Sequence, residues 1–371
     1  MSVPDVIVIG GGIMGCGVAL RLAQAGVEVT VLERAIPGAE ASTAAAGILA
    51  PQMEAEGPGP FLDLCLRSRA LYPEFAEELR EASGVDVQYL PSGVLNVAFT
   101  REGLERLESI VGWQRSSGLR AEILSAADAR LLEPNLSPAA LGAGHFPDDH
   151  QVDNRLLMRA LSIASTRAGV RFRSGYVRGV EAKGDRVVGV DLDGEKLAAG
   201  ATVIAAGAWS SLIHGARIDP QRIRPVRGQM TELQLRVPPL TRILFSERKG
   251  YVVPRGDGRV IAGSTTEFTG FEKQVTAGGL ARILQVAVEL CPLLQDAQVL
   301  SFWAGLRPYT EDHLPLLGPG PLEGLYLATG HFRNGILLAP ISARVVADAV
   351  LGRTPMVDLT PFSYDRRLAA R

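Results

Sequence analysis

The strongest periodicity in the chain lies at its start. Residues 5–9 (DVIVI) are a β-branched run and read as a buried strand. A glycine cluster follows, and over 13–25 the apolar positions Val18, Leu22 and Ala25 recur with helical spacing. Gly26 stops that helix, and VEVTVLER (27–34) reads as a second strand. Phe61, Leu64, Leu71, Phe75 and Leu79 predict a long helix over 61–83. Residues 86–100 alternate around a Pro91–Ser92–Gly93 turn and predict two strands or a hairpin. Helices are expected over 102–116 and 125–133, and FPDDHQVDNRLLMRAL (146–161) reads as a loop entering a helix. VRFR (170–173) and VVGVDL (187–192) predict strands. ATVIAAGAWSSLI (201–213) predicts a buried strand, a glycine turn and the start of a helix.

From residue 223 the texture changes. IRPVRGQMTELQL (223–235), ILFSERKGYVVPR (243–255) and RVIAGSTTEF (259–268) are strand-like and follow one another without helices, which points to an antiparallel sheet. FWAGLRPYTEDHLPLLG (302–318) and LYLATGHFRNGILLAP (325–340) return to α/β texture. The expected architecture is therefore α/β combined with α+β. A discontinuous Rossmann-type nucleotide-binding domain would comprise 1–85, 146–222 and 305–371. An antiparallel-sheet substrate domain (86–145 and 223–304) would be inserted into it.

Composition narrows the classes of function. The chain has 371 residues, 47% apolar and 21% charged, with a formal net charge of −2. That balance gives no basic surface for a nucleic acid or an anionic membrane. No run reaches the ~18 apolar residues of a membrane span. The N-terminal apolar stretch lacks a basic leader and is broken by glycines, so a cytoplasmic protein is expected. Cys16, Cys65 and Cys291 are scattered, and the five histidines form no ligand pattern, so neither a metal site nor a disulfide framework is expected.

The glycine cluster carries chemistry. In GGGIMG, Gly10, Gly12 and Gly15 stand in GxGxxG register, and Glu33 closes the second strand. Gly10 suits the tight turn, Gly12 the close approach of backbone to a pyrophosphate, and Gly15 the packing of helix on strand. The helix N-terminus favours the diphosphate charge, and Glu33 can accept hydrogen bonds from ribose hydroxyls. Strand, motif, helix, strand and acid in this order point to FAD or NAD. The acid disfavours a 2′-phosphate.

STAAAGIL (42–49) is a run of small residues with a hydroxyl pair, suited to lying flat against a large ring. With VIVIGGGIMG, VIAAGAWS, RPVRGQ, GYVVPR, FWAGLRP and GHFRNGILLAP, in this order over nearly the whole chain, it resembles the FAD-dependent amine oxidases of the D-amino-acid oxidase and glycine oxidase group. The resemblance implies non-covalent FAD held by Gly10, Gly12, Ile13, Met14 and Gly15, with Glu33 and Arg34 toward the adenosine. Ser42, Thr43, Ala45, Ala46, Gly47 and Ile48 would line diphosphate and flavin. Val177, Ala206, Gly207 and Trp209 would pack on the cofactor, Trp209 being alternatively a core residue. His331, Arg333, Asn334, Gly335, Ile336 and Leu337 would bring a helix N-terminus to the flavin.

Zwitterionic substrates need an arginine fork for their carboxylate. By resemblance Arg307 is that clamp, Tyr251 adds a phenolic hydrogen bond, and the Arg333 carbonyl accepts from the amine. The Arg333 side chain would add positive field at the mouth. The implied reaction passes a hydride from glycine, or from sarcosine or a small D-amino acid, to flavin. The imine hydrolyses to a 2-oxo acid and ammonia, and dioxygen becomes hydrogen peroxide. The glycine imine would feed the thiazole of thiamine. Dehydrogenases serving a quinone or partner protein, and a non-catalytic flavin subunit, are the alternatives. The partners implied are a small amino acid and dioxygen, in a homo-oligomer. Ile48 and Lys249 depart from the family pattern and are expected on the specificity wall. Glu311, Asp312 and His313 read as a loop.

Overall fold

The computed structural model describes residues 5–55 and 57–366; positions 1–4, 56 and 367–371 of the expected domain spans lie outside it. A six-stranded sheet forms the first layer. Its central strand Val6–Ile9 pairs in parallel with Val29–Glu33 on one side and Ala201–Ile204 on the other. Arg171–Ser174 extends the sheet beyond Val29–Glu33. Leu325–Thr329 and the antiparallel Leu316–Pro319 extend it at the opposite edge.

Strand alternation explains the burial of both faces. Val6, Val8, Val31 and Val203 point to one side, where they pack with residues of the helices Ile13–Gln24, Asn154–Arg167 and Gly335–Val350. Ile7, Ile9, Leu32 and Ile204 point to the other. There a three-stranded antiparallel sheet (Val177–Lys183, Arg186–Leu192, Glu195–Ala198) covers them with Val180, Val187, Val190 and Leu192. Only the middle of those three strands, with VRFR before them, is read from the sequence. The flanking two are short or strongly charged, so their apolar alternation is weak.

Local residues set the ends of two of the helices. Asp153 caps Asn154–Arg167 by accepting from the Arg155 and Leu156 amides (3.0 and 3.1 Å). The helix Pro60–Ser83 begins on a proline and ends at Gly84, whose φ of 76° places it in the left-handed region.

The second layer is an eight-stranded sheet whose long strands Arg224–Gln234 and Gln298–Tyr309 pair antiparallel. One exception stands in an otherwise antiparallel array: Ile243–Ser246 runs parallel to Val94–Ala98. Residues 86–100 contribute only this one strand, Val94–Ala98. Leu90 makes an isolated bridge to Gln151 instead of forming a hairpin. The FWAGLRP segment belongs to this sheet, not to the α/β layer, so the expected boundary at 304/305 falls inside the strand Gln298–Tyr309. Val252, Val260 and Ala262 face the helix Ala277–Leu290, while Met230, Tyr251, Val253 and Ile261 face the first layer. That alternation turns Tyr251 toward the space between the layers. Among the described residues, no helix is long and apolar enough to cross a membrane.

Candidate active site

A cavity enclosing about 1750 Å³, including its open mouth, runs between the two layers. At one end lie Glu33, Arg34 and Trp209. The N-terminus of the helix Ile13–Gln24 and residues 44–48 line its middle. Tyr251, Arg307 and the N-terminus of the helix Gly335–Val350 line the other end.

The glycines have the geometry that their spacing predicts. A Cβ on Gly15 would stand 1.9 Å from the Gly10 carbonyl oxygen, so only glycine lets this helix sit so close to the strand end. Gly15 therefore acts behind the cavity and does not line it. Gly10 (φ 103°) and Gly12 do line it. The Gly10 Cβ would meet the Ala205 carbonyl oxygen at 2.6 Å. Glu33 accepts from the Gly11 and Ala35 amides (2.7 and 3.0 Å), which fixes its carboxylate at the cavity end. Ser42 Oγ accepts from the Ile13 amide (2.9 Å) and ties the second loop to the first helix.

The small-residue segment is held from behind. Arg255 is buried and donates to the Ala46 carbonyl (2.9 Å) and to Gln151 Oε1 (2.8 Å). Gly47 (φ 74°) accepts from the Val152 amide at 2.9 Å. Ala45, Ala46, Gly47 and Ile48 line the cavity. Thr43 does not: its hydroxyl turns away to the Gly38 carbonyl (2.8 Å). Val177, Ala206, Gly207 and Trp209 also line the cavity. Trp209 is half-buried, with the Arg34 guanidinium 3.9 Å from its ring centre and Phe271 beside it, so it is a wall residue and not part of the core.

The helix Gly335–Val350 presents Asn334, Gly335 and Ile336 to the cavity. Pro340 has no N–H for the Ile336 carbonyl. The Tyr72 hydroxyl bonds that carbonyl, and Ser68 Oγ donates to the Leu337 carbonyl at 2.6 Å. Leu337 is thus in the packing behind the site and does not line it. His331 lines the cavity, is 3% exposed and bonds Ser342 Oγ (2.9 Å). Burial pushes its pKa down to about 3, so it is neutral at pH 7. The unfolded chain takes up a proton near pH 6.5 that the folded His331 refuses. Its contribution to stability is present above that pH and is lost as pH falls toward 3. In urea unfolding, the stability advantage of wild type over His331→Asn should shrink by about 1.4 kcal/mol per pH unit over that interval.

Arg307 leans into the cavity from the strand Gln298–Tyr309. It donates to the Ser264 hydroxyl (2.7 Å) and the Thr265 carbonyl (3.0 Å). Gly228, on the neighbouring strand, makes room: its Cβ would stand 2.4 Å from the guanidinium carbon. Burial lowers the Arg307 pKa, yet a guanidinium stays charged at neutral pH. Among the described residues no carboxylate forms an ion pair with it. Tyr251 is buried, and its hydroxyl donates to Met230 Sδ at 3.5 Å, a weak acceptor.

Arg333 lines the cavity too, but its charge is not free to add field. Nε and Nη2 both donate to the Glu54 carboxylate (2.7 and 2.8 Å), a fork on a fork. The pairing with Glu54 holds Arg333 well above the usual arginine range. Lys249 is exposed on a turn with φ 64° and is not on the cavity wall; Ile48 is. Asp312 is committed to Arg366 (2.7 Å), and His313 packs on Tyr309 and Phe332, in keeping with a loop. Glu54, Met230, Ser264 and Gly228 line the cavity without having been found from the sequence. Only Gly228 lay within a quoted motif, RPVRGQ.

A two-layer α/β fold with a dinucleotide crevice opening onto a charged, half-buried pocket defines an oxidoreductase. Residues 5–349 match the family model described as FAD dependent oxidoreductase. The chain is 37% identical over 368 residues to a glycine oxidase of Geobacillus kaustophilus strain HTA426, covering 98% of this chain and 97% of that protein. It superposes on the crystal structure of glycine oxidase from Geobacillus kaustophilus with a TM-score of 0.94 at 36% identity, covering 99% of each chain. It is also 39% identical to a bifunctional protein ThiO/ThiG of Trichormus variabilis, spanning 55% of that longer protein. The chain belongs to the D-amino-acid-oxidase-type family of FAD-dependent oxidoreductases, and FAD is its cofactor.

Proposed function

We propose that this chain oxidises glycine with dioxygen, giving glyoxylate, ammonia and hydrogen peroxide, and that its imine product feeds thiazole formation in thiamine synthesis. Its likeness to glycine oxidases over nearly the full chain supports this reading, and one observation carries it. Arg307 offers a half-buried fork with no acid paired to it among the described residues, at the cavity end where a helix N-terminus also points. A partly desolvated cation without a paired anion is costly, so the missing partner is supplied by the ligand.

The cavity suits FAD on its own geometry. Its middle is lined by the glycine cradle at a helix N-terminus, which takes a diphosphate, with Glu33 placed for the ribose. We assign the cofactor to Gly10, Gly12, Ile13, Met14, Glu33, Arg34, Ser42, Ala45–Ile48, Val177, Ala206, Gly207, Trp209, His331 and Asn334–Ile336. Gly15, Thr43 and Leu337 support it from behind. FAD, when bound, accepts a hydride from the substrate carbon and returns two electrons to dioxygen.

The residues of the chain do the rest by orientation. Arg307 takes the substrate carboxylate in two parallel hydrogen bonds. The Tyr251 hydroxyl exchanges the weak Met230 contact for a carboxylate oxygen. The Arg333 carbonyl accepts from the amine. Arg307 and the helix N-terminus disfavour an ammonium ion, so the amine binds neutral and its proton stays in water. The N-terminus of Gly335–Val350 stabilises negative charge that develops in the reaction. Neutral His331 adds no competing charge. Water then hydrolyses the imine to glyoxylate and ammonia.

The reading extends to a cytoplasmic homo-oligomer. Val299, Leu300 and Phe302 are exposed on the strand Gln298–Tyr309, an edge that a second copy would cover. We keep the two-domain division, with the last sheet crossing moved past Tyr309.

Adding glycine to the yellow protein without oxygen should bleach the flavin. Admitting air should restore the colour with one hydrogen peroxide per glycine consumed. Bleaching without peroxide would mean a different electron acceptor, and no bleaching by glycine would exclude it as the substrate.

A further inference from the structure

The cavity holds two arginine forks that differ in one respect. The Arg307 fork meets only neutral groups, the Thr265 carbonyl and the Ser264 hydroxyl, and has donors left for a ligand, whereas the Arg333 fork is closed by the Glu54 carboxylate through two parallel bonds (2.7 and 2.8 Å). Both arginines and Glu54 line the same cavity. A carboxylate on Arg333 is the arrangement that a second acidic group of a ligand would otherwise make. The protein supplies that carboxylate itself.

Glu54 is not a wandering surface acid. Its side chain is 21% exposed and sits on the short helical turn Pro51–Glu54. The buried carboxylate of Asp149 accepts from the amides of Gln52 (3.4 Å) and Met53 (3.2 Å) and pairs with Arg69 at 3.1 Å. Gln52 Nε2 donates to Gln114 Oε1 (2.9 Å) and to the Arg120 carbonyl (3.0 Å). This polar bed fixes the turn beneath Glu54. Placing its carboxylate on Arg333 therefore costs little extra ordering, because the backbone is already held.

The charge count follows. Two arginines and one glutamate leave one positive charge for the ligand, which matches one carboxylate beside a neutral amine. A ligand with two carboxylates meets one open fork. Its second group must either displace Glu54 or lie beside that like charge in a half-buried site, and both are unfavourable.

We propose that Glu54 is a specificity-determining residue: by occupying the Arg333 fork it restricts the pocket to amines with a single acidic group. This rests on the reading of Arg307 as the substrate-carboxylate site. Removing the Glu54 charge should open a second anion site and admit amines of the iminodiacetate type.

The test uses the FAD-loaded full-length protein and two non-oxidisable ethers of matched shape. Methoxyacetate carries one carboxylate and diglycolate carries two. Their dissociation constants are read from the perturbation of the flavin spectrum, which needs no turnover. Wild type should bind methoxyacetate at least as tightly as diglycolate. In Glu54→Gln the preference should move at least tenfold toward diglycolate, and Arg333→Gln on that background should cancel the gain. Glu54→Asp keeps the charge and serves where Glu54→Gln fails to load FAD: it should retain the wild-type preference. An unchanged ratio in Glu54→Gln, or wild type already preferring diglycolate, would overturn the proposal. Were glycine not the substrate, the ratio would still report on Glu54. Were neither ether to bind wild type while glycine bleached the flavin, Arg307 would not be an open carboxylate site for simple anions, and the proposal would fall with that assignment alone.

Discussion

Replacing Arg307 by alanine should lower kcat/KM for glycine roughly 30- to 5,000-fold while FAD remains bound, because truncating one partner of a desolvated, hydrogen-bonded charge pair costs about 2–5 kcal/mol. The loss has two parts. The substrate carboxylate forfeits both charge-assisted bonds, and it must still leave water to reach the half-buried site. Arg307→Lys should recover only a little. An ammonium offers a point charge without the fork, and the space opened by Gly228 is shaped for a flat group. Ser264 and Thr265 follow the end of the strand Arg259–Gly263 and their bonds to Arg307 are not rungs of the sheet, so the fold has little reason to fail. Steady-state kinetics with the visible flavin spectrum of each variant as the loading control would decide this. A loss under threefold in a fully loaded Arg307→Ala would place the carboxylate elsewhere.

Gly47→Ala should yield a protein that is largely free of FAD and about 2–5 kcal/mol less stable. Two separate costs add. At φ 74° an alanine is strained by about 1–2 kcal/mol. Its Cβ would also stand 1.9 Å from the Val152 carbonyl oxygen, a backbone atom that cannot swing away, and forced overpacking costs about 1–3 kcal/mol. Relief requires separating residues 45–48 from Val152, which breaks the 2.9 Å hydrogen bond between the Val152 amide and the Gly47 carbonyl. The segment lost is the one lining the middle of the cavity. Gly26→Ala is the control. Gly26 has φ 86° but nothing within 4 Å of an added Cβ, so it should carry the strain alone and keep its flavin. Bound FAD per chain and the urea midpoint separate the two. Equal flavin contents would show that the close contact at Gly47 is not what holds the cofactor wall.

These glycines show how far local pattern reaches. Gly10, Gly12 and Gly15 were legible because strand, turn and helix succeed one another within 35 residues, although only the Gly15 contact, with the Gly10 carbonyl, lies inside that unit; Gly10 answers Ala205 and Gly12 faces Ser42. Arg307 and Tyr251 were legible as motif positions in FWAGLRP and GYVVPR. Their shared cavity, however, depends on which face of the sheet each strand presents. Val177 was placed on the wall by resemblance while the strand that carries it was missed, since its outward face is charged. The segment around Arg307 was assigned to the wrong layer. A single strand has the same alternation whether it pairs with Val6–Ile9 or with Arg224–Gln234, and pairing partners leave no trace in its own sequence.

Arg333 makes the same point with charge. Its position at the entry of a buried helix is plain in GHFRNGILLAP, and so is a cation needing a reason. Its partner Glu54 lies 279 residues earlier in a proline- and glycine-rich stretch without any motif. Lys249 is the converse, a residue adjacent to a motif whose turn carries it out to solvent. The amino-acid sequence by itself determined the dinucleotide unit and the residue types of the site, and its motifs, through the family they resemble, the choice of FAD over NAD, because these rest on periodicity, backbone freedom and side-chain chemistry that act over short spans. The tertiary structure alone decided which sheet each late strand joins, which arginine is open and which is closed, and which predicted residues stand behind the wall. Those outcomes depend on contacts between segments far apart in the chain, where free energy is settled by packing and charge pairing in three dimensions.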